Sequence, residues 1–258
     1  MRIVLVGAGN LATRLGVAAK DAGHDVVQVY SRTEQSAATL GTLLGCKAVT
    51  HEEQLVADAD LYIVALKDAA LCDVLPALCK GRENRVFVHT AGSMPMEVFQ
   101  GHASHYGVVY PMQTFSKARN VDFAAIPVFV EWNDAEARTV IAEFAASLSR
   151  KVMPLASADR KYLHLAAVFA CNFVNHCYAV ADEILAAHGM SFDTMLPLID
   201  ETAAKVHALS PAAAQTGPAV RYDENVIGKQ RGLLEDFPEA LKLYDVLTEG
   251  IHLKAKKS

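Results

Sequence analysis

Along the first half of the chain, short runs of branched and aromatic residues alternate with stretches whose apolar positions recur every three or four residues. Runs near residues 2–6, 25–30, 47–50, 61–65, 85–89 and 105–110 read as strands, and stretches near 11–22, 33–44 and 69–78 read as helices. A strand at 127–131, a helix at 135–148 and a strand at 151–154 extend the series. Such alternation marks parallel βαβ units, so the pattern predicts an α/β fold: a doubly wound Rossmann-type sheet with right-handed crossovers.

After Pro154 the pattern becomes wholly helical. Ser157 stands where a capping residue belongs, Asp159 follows in the first turn, and no Pro or Gly interrupts before Gly189. About 30 residues of helix would be ~45 Å long, suited to the spine of a second domain and of a dimer interface. Ser191 caps the next helix, Ser210-Pro211 ends it, and helical segments near 224–234 and 238–254 follow a loop holding Thr216-Gly217-Pro218. The expected division is residues 1–155, dinucleotide-binding, and 156–258, an all-α substrate and dimerisation domain.

Composition narrows the class. With 258 residues, 52% hydrophobic, the chain can bury a substantial core, and its net charge of −5 gives no basic field to attract nucleic acid. The apolar stretch 163–188 is broken by Asn172, Asn175, His176, Asp182 and Glu183, too polar for an unassisted membrane span. No cationic, apolar leader precedes the first strand, and five cysteines without a CxxC spacing suit free thiols, so a cytoplasmic location and no membrane partner are expected. His102 and His105 have a metal-like spacing, but no nearby Cys or carboxylate completes a site, and no metal is expected.

The most specific chemistry lies where the first strand meets the first helix, in Gly7-Ala8-Gly9-Asn10-Leu11-Ala12. Gly7 allows the tight turn, Gly9 lets the backbone approach a pyrophosphate, and Ala12 takes the third small position, where helix packs on strand. The helix N-terminus then offers free N–H groups to the anion. At the end of the second strand, where NAD-binding proteins place an acid on the ribose, stand Ser31-Arg32-Thr33. A guanidinium with two hydroxyls suits a 2′-phosphate, which favours NADP; an ordinary surface loop is the alternative.

In such sheets the ligand crevice opens beyond the carboxyl ends of the strands. That rule selects Ala65 and Leu66 after the fourth strand, Thr90 and Ala91 after the fifth, and Gln113 and Thr114 after the sixth, the first four for the cofactor and the last two for substrate. On the long helix, His164, Asn172 and Asn175 fall on one polar stripe if every residue turns 100°. Two readings stay open: a catalytic stripe with His164 as proton donor and the asparagines orienting substrate, or hydrogen bonds satisfied between helices. Arg221 and Asp223 could bind an anionic substrate or pair with each other.

Gly7–Ala12, His89-Thr-Ala-Gly92, residues 110–116, residues 164–172 and Thr216-Gly-Pro-Ala-Val-Arg221 together resemble a family of Rossmann-like oxidoreductases with a C-terminal domain of unknown function. More distantly the chain is similar to pyrroline-5-carboxylate reductase, prephenate dehydrogenase and the deazaflavin-dependent NADP oxidoreductases. The resemblance implies an N-terminal NADP domain, a helical C-terminal domain, homodimers and an active cleft between the domains. Tyr110 stands where those relatives carry His, and Val168 where several dehydrogenases of the wider group carry Lys, which leaves His164 as the better proton donor.

The expectation is therefore an NADP-dependent oxidoreductase moving hydride between NADP(H) and a small carbonyl or imine. The competing expectation, favoured by the lack of a Lys or a clear acid among the cleft residues, is a non-catalytic NADPH-binding sensor or assembly protein.

Overall fold

The structure, a computed structural model, describes residues 1–257. By contacts the chain divides into two compact units, Met1–Asn172 and Phe173–Ser258. The first is built on β1 (Arg2–Val6), α1 (Asn10–Asp21), β2 (Asp25–Tyr30), α2 (Glu34–Leu44), β3 (Lys47–Val49), β4 (Leu61–Val64), α3 (Asp68–Cys79), β5 (Val86–His89) and β6 (His105–Pro111). β7 (Pro127–Trp132), α4 (Ala135–Leu148), β8 (Lys151–Pro154) and α5 (Ser157–Ala167) complete it.

The eight strands form one sheet in the order β3-β2-β1-β4-β5-β6-β7-β8. β1 to β6 pair in parallel, as the alternating pattern predicts. β7 departs from it and pairs antiparallel with β6. The reason lies in the connection: between Pro111 and Pro127 there is only a short 3-10 turn, Phe123–Ala125, and without a crossover helix the strand returns in the opposite sense. α4 does cross over, so β8 is again parallel to β7.

Both faces of the sheet are covered, and strand alternation sorts the side chains between them. From β1, Ile3 and Leu5 join a cluster with Ala12, Leu15 and Ala19 of α1 and Ile141 and Phe144 of α4. Val4 and Val6 face the other way, into a cluster with Leu71, Leu75 and Leu78 of α3 and the rings of Tyr62, Phe87 and Phe99. Strand order reverses between β1 and β4, so the crevice of the fold opens at the carboxyl ends of these two strands.

From Ser157 to Ala187 the chain is helical for 31 residues, and long and apolar enough by length and composition to cross a membrane. It is not one uniform helix: α5 gives way to a π-helical segment, Val168–Phe173, before α6 (Val174–Ala187). Nor does Ser157 cap it. The helix begins one residue earlier than that role requires, with Ala156 at the cap position.

The second unit continues with α7 (Leu196–Ala208), two short helices α8 (Pro211–Ala214) and α9 (Pro218–Arg221), α10 (Glu224–Gly232) and α11 (Pro238–Ala255). Ser191 accepts a bond from Asp193 N–H at the start of this run, as expected of a cap, and Ser210 caps α8. Asp223 does not pair with Arg221 in an ion pair; its carboxylate caps α10 through Val226 N–H at 3.2 Å.

Candidate functional site

Two adjoining cavities open at the carboxyl ends of the strands, both lined by the first unit alone. One, of about 320 Å³, lies over the β1–α1 turn and is walled by Gly9, Asn10 and Leu11, then by Ala65 and Leu66 after β4 and Thr90 and Ala91 after β5. All seven are residues that the sequence assigns to a cofactor. The same wall carries Lys67 and Asp68, whose charges the sequence reading did not single out although they follow β4 directly.

The turn itself is shaped for an anion. Gly7 has φ +117°, and a Cβ there would stand 2.4 Å from the Ala65 carbonyl oxygen, so only glycine fits. Above Gly9 the space is open, with no atom within 4 Å of where its Cβ would be. α1 begins at Asn10, and its first-turn N–H groups have no partners within the helix. An open cradle, free donors and a positive dipole end fit a pyrophosphate.

Gly7, Ala8, Ser31, Arg32 and Thr33 lie outside the lining of this cavity. Arg32 is exposed and forms no ion pair among the described residues. A carboxylate does stand close by: Glu52, from a 3-10 turn, accepts a hydrogen bond from the Tyr30 hydroxyl, and burial together with that carboxylate drives the Tyr30 phenol far above its ordinary pKa. Its separation in sequence hid this neighbour.

The second cavity, about 470 Å³, is lined by Gln113, Thr114 and Phe115 from the segment after β6 and by Ala167, Ala170, Cys171 and Asn172 from the long helix. Asn10, Leu11, Tyr110 and His164 belong to both cavities. Asn175 lines neither and is exposed in the second unit. The single stripe through His164, Asn172 and Asn175 assumed one α-helical period, and the wider turn of the π segment between them breaks that count. π segments of this kind are frequent at functional sites.

His164 is held by two neighbours. Its Nδ1 lies 3.0 Å from the Tyr110 hydroxyl, the two rings meeting edge to face at 5.9 Å. Gly92 also packs so closely that a Cβ would stand 2.5 Å from Nδ1. With the phenol donating to Nδ1, the proton of neutral His164 stays on Nε2, which has no partner among the described residues. Tyr110 is nearly buried, which pushes its phenol up, with the nearby Arg160 charge opposing.

Beneath these rings lies a polar cluster that sequence separation had concealed. Arg160, 1% exposed, bonds Glu131 on β7 at 2.6 Å and the Met94 carbonyl at 2.6 Å. Ser157 donates its hydroxyl to Glu131 at 2.6 Å and accepts from Arg160 and from Met96 N–H, which accounts for its failure to cap. Burial raises the Glu131 carboxyl, but the bonds from Ser157 and Arg160 outweigh it and leave the group below its ordinary pKa. Next to them, His89 is fully buried and held down to about 4, chiefly by burial and then by Arg160. Its Nδ1 accepts from Ala91 N–H at 3.1 Å, so Nε2 donates to the Pro95 carbonyl at 3.2 Å. A neutral imidazole thus props the Thr90–Gly92 loop that walls the first cavity.

The fold is that of a Rossmann-type oxidoreductase, and the comparisons agree. Residues 2–91 match the family described as NADP oxidoreductase, coenzyme F420-dependent, and residues 126–251 match a domain of unknown function, DUF2520. A candidate NADP oxidoreductase of Bacteroides fragilis is 52% identical over 97% of both chains, with a TM-score of 0.95. The chain belongs to this family, in which an F420-dependent-type NADP oxidoreductase domain precedes the DUF2520 domain.

Two remoter structures share the fold. A pyrroline-5-carboxylate reductase of Coxiella burnetii is 16% identical with a TM-score of 0.59, over 99% of this chain and 97% of that one. A reductive aminase of Aspergillus terreus, solved with NADPH and ethyl-5-oxohexanoate, is 15% identical with a TM-score of 0.64, over 99% and 92%. No curated protein matches the chain.

Proposed function

We propose that the chain is an NADP-dependent oxidoreductase that acts on a small carbonyl or imine and works as a homodimer. The observation that carries this reading is the position of Tyr110 and His164 in the wall common to both cavities, where a ring bound in one would meet a molecule bound in the other. The α1 cradle would hold the pyrophosphate, Ala65, Leu66, Thr90 and Ala91 the ribose and nicotinamide, and Ser31, Arg32 and Thr33 the 2′-phosphate. The reduced dinucleotide, when bound, supplies a hydride to the electrophilic carbon.

The C=O or C=N bond that receives the hydride must also gain a proton on its oxygen or nitrogen. His164 gives its Nε2 proton as Nδ1 takes the proton of the Tyr110 hydroxyl, so the imidazole stays neutral and solvent returns a proton to the phenolate. Asn172 and the Gln113-Thr114 segment orient the substrate within the second cavity. The sensor reading is the alternative, favoured by a second cavity whose lining holds no Lys and no acid, and a turnover screen separates the two. Homodimerisation is supported by apolar side chains left exposed on the long helix, among them Tyr162 and Leu165.

Two measurements test the reading. Fluorescence titration is expected to show tighter binding of NADPH than NADH, with Arg32→Ala removing the difference; equal affinities would refute the 2′-phosphate assignment. In a screen of small carbonyls and imines for NADPH oxidation, His164→Ala should lower turnover 10²-fold to 10⁴-fold, the usual contribution of a positioned acid, and Tyr110→Phe should shift the pH profile. Unchanged turnover in His164→Ala removes that residue from the mechanism.

A further inference from the structure

The second cavity also carries a statement about charge. Its polar side chains are neutral ones, Asn10, Tyr110, Gln113, Thr114 and Asn172, together with His164, and the rest is apolar, including Met112 and Phe115. Neither Lys nor Arg lines it. Of the cations around it, Arg160 is buried and neutralised by Glu131, Lys67 lines the first cavity, and Arg119 lines a neighbouring hollow of about 300 Å³ that shares Gln113, Thr114 and Phe115 with this one.

A carboxylate or phosphate brought into this half-open cavity loses part of its hydration with no cation in the lining to pair with, a loss that neutral amides and hydroxyls offset only in part. An uncharged carbonyl loses little, because one donor, His164 Nε2–H, satisfies its oxygen. We infer that the substrate is an uncharged, largely apolar ketone, aldehyde or imine, not a 2-oxo acid or another carboxylate. This rests on the oxidoreductase reading for the reaction, but not for what the chamber admits.

Levulinate and methyl levulinate, ketones of similar size that differ in charge, make the test. With NADPH at neutral pH, the ester is expected to show a kcat/KM at least ~10-fold above that of the acid, the scale of one unpaired charged group. Gln113→Arg, which adds a cation at an exposed position of the lining, should narrow or reverse that ratio. An acid turned over as well as the ester, or a ratio that Gln113→Arg leaves unmoved, overturns the inference while the oxidoreductase reading stands. If neither ketone is reduced, saturation-transfer NMR on the NADPH-loaded protein decides: preferential binding of the ester, lost in Gln113→Arg, upholds the inference without the reaction. Equal binding of both, or of neither, overturns it.

Discussion

The two units of the chain bury their residues very differently. Every large side chain that is fully enclosed, from Ile3 and Leu5 to Phe144 and Arg160, belongs to Met1–Asn172. In Phe173–Ser258 the buried residues are few and mostly small, namely Ala219, Ile227, Leu234, Ala240 and Thr248. Meanwhile Leu198, Val246 and Leu233 are 61%, 68% and 77% exposed. A sheet covered on both faces completes its own core within one chain, whereas these helices leave apolar faces bare. Bare apolar area on this scale marks an interaction surface, and a second copy of the chain is the partner proposed for it.

The largest expected effect tests that proposal. Leu198→Glu combined with Val246→Glu puts a charge at four places in a symmetric dimer, each costing about 1.5–3 kcal/mol of apolar burial, so the association should weaken by on the order of 6 kcal/mol or more. Sedimentation should then find two-chain particles for the parent and single chains for the variant. A parent that is monomeric at micromolar concentration refutes the homodimer.

Within the first unit the largest effect belongs to the buried ion pair. Glu131→Gln leaves the Arg160 charge enclosed beside Ser157 and the Met94 carbonyl, and should cost about 3–5 kcal/mol in urea unfolding. Adding Arg160→Met removes the stranded charge and should recover much of the loss. Leu233→Ala, by contrast, should stay within about 0.5 kcal/mol in the monomer. If Glu131→Gln costs no more than Leu233→Ala, the contrast between an enclosed and an exposed unit fails.

These two regions were also unequally legible in the sequence. The β1–α1 turn could be read because its demands are local: a strand, two glycines and a helix start within a dozen residues. The seven residues named from sequence that line the first cavity follow from the same rule about strand ends. The Arg160–Glu131 pair and the Tyr110–His164 contact could not be read, since their members lie 29 and 54 residues apart on different elements. Periodicity failed where it was extrapolated furthest, across the π segment that separates Asn175 from His164. The reversal of β7 had a visible signal, the missing crossover helix before Pro127, which the βαβ pattern of the preceding strands overrode.

His89 allows the first unit to be probed by pH. Its folded pKa of about 4 lies below the ordinary 6.5, so between those values the unfolded chain binds the extra proton and unfolding is favoured as pH falls. The stability tied to neutral His89 is therefore complete above about pH 6.5 and is lost progressively toward pH 4, by roughly 3 kcal/mol in all. Glu131, its pKa depressed, adds a loss that begins as pH falls through the ordinary carboxylate value and continues below it. Denaturant midpoints followed from pH 7 to pH 4 should show this slope, and His89→Gln should flatten it. A slope that persists unchanged in the variant assigns it to other groups.

A small expected change in stability should carry a disproportionate change in activity. Gly92 has an ordinary backbone angle, so Gly92→Ala costs no conformational strain, but its Cβ would stand 2.5 Å from His164 Nδ1 and 2.6 Å from Cγ. The imidazole must shift, and its bond to Tyr110, 3.0 Å in the parent, lengthens or breaks. Loss of one such bond is worth about 1 kcal/mol, whereas misplacing a reacting group by about 1 Å can lower turnover ~100-fold. Gly92 lines the first cavity and not the second, so the same substitution measures whether the two can be separated. Turnover should fall 10-fold to 100-fold while NADPH affinity changes less than threefold, because the α1 cradle is untouched. Equal losses in affinity and turnover would mean that the methyl group acts by closing the cofactor cavity, and His164 would lose its role as the group the glycine makes room for.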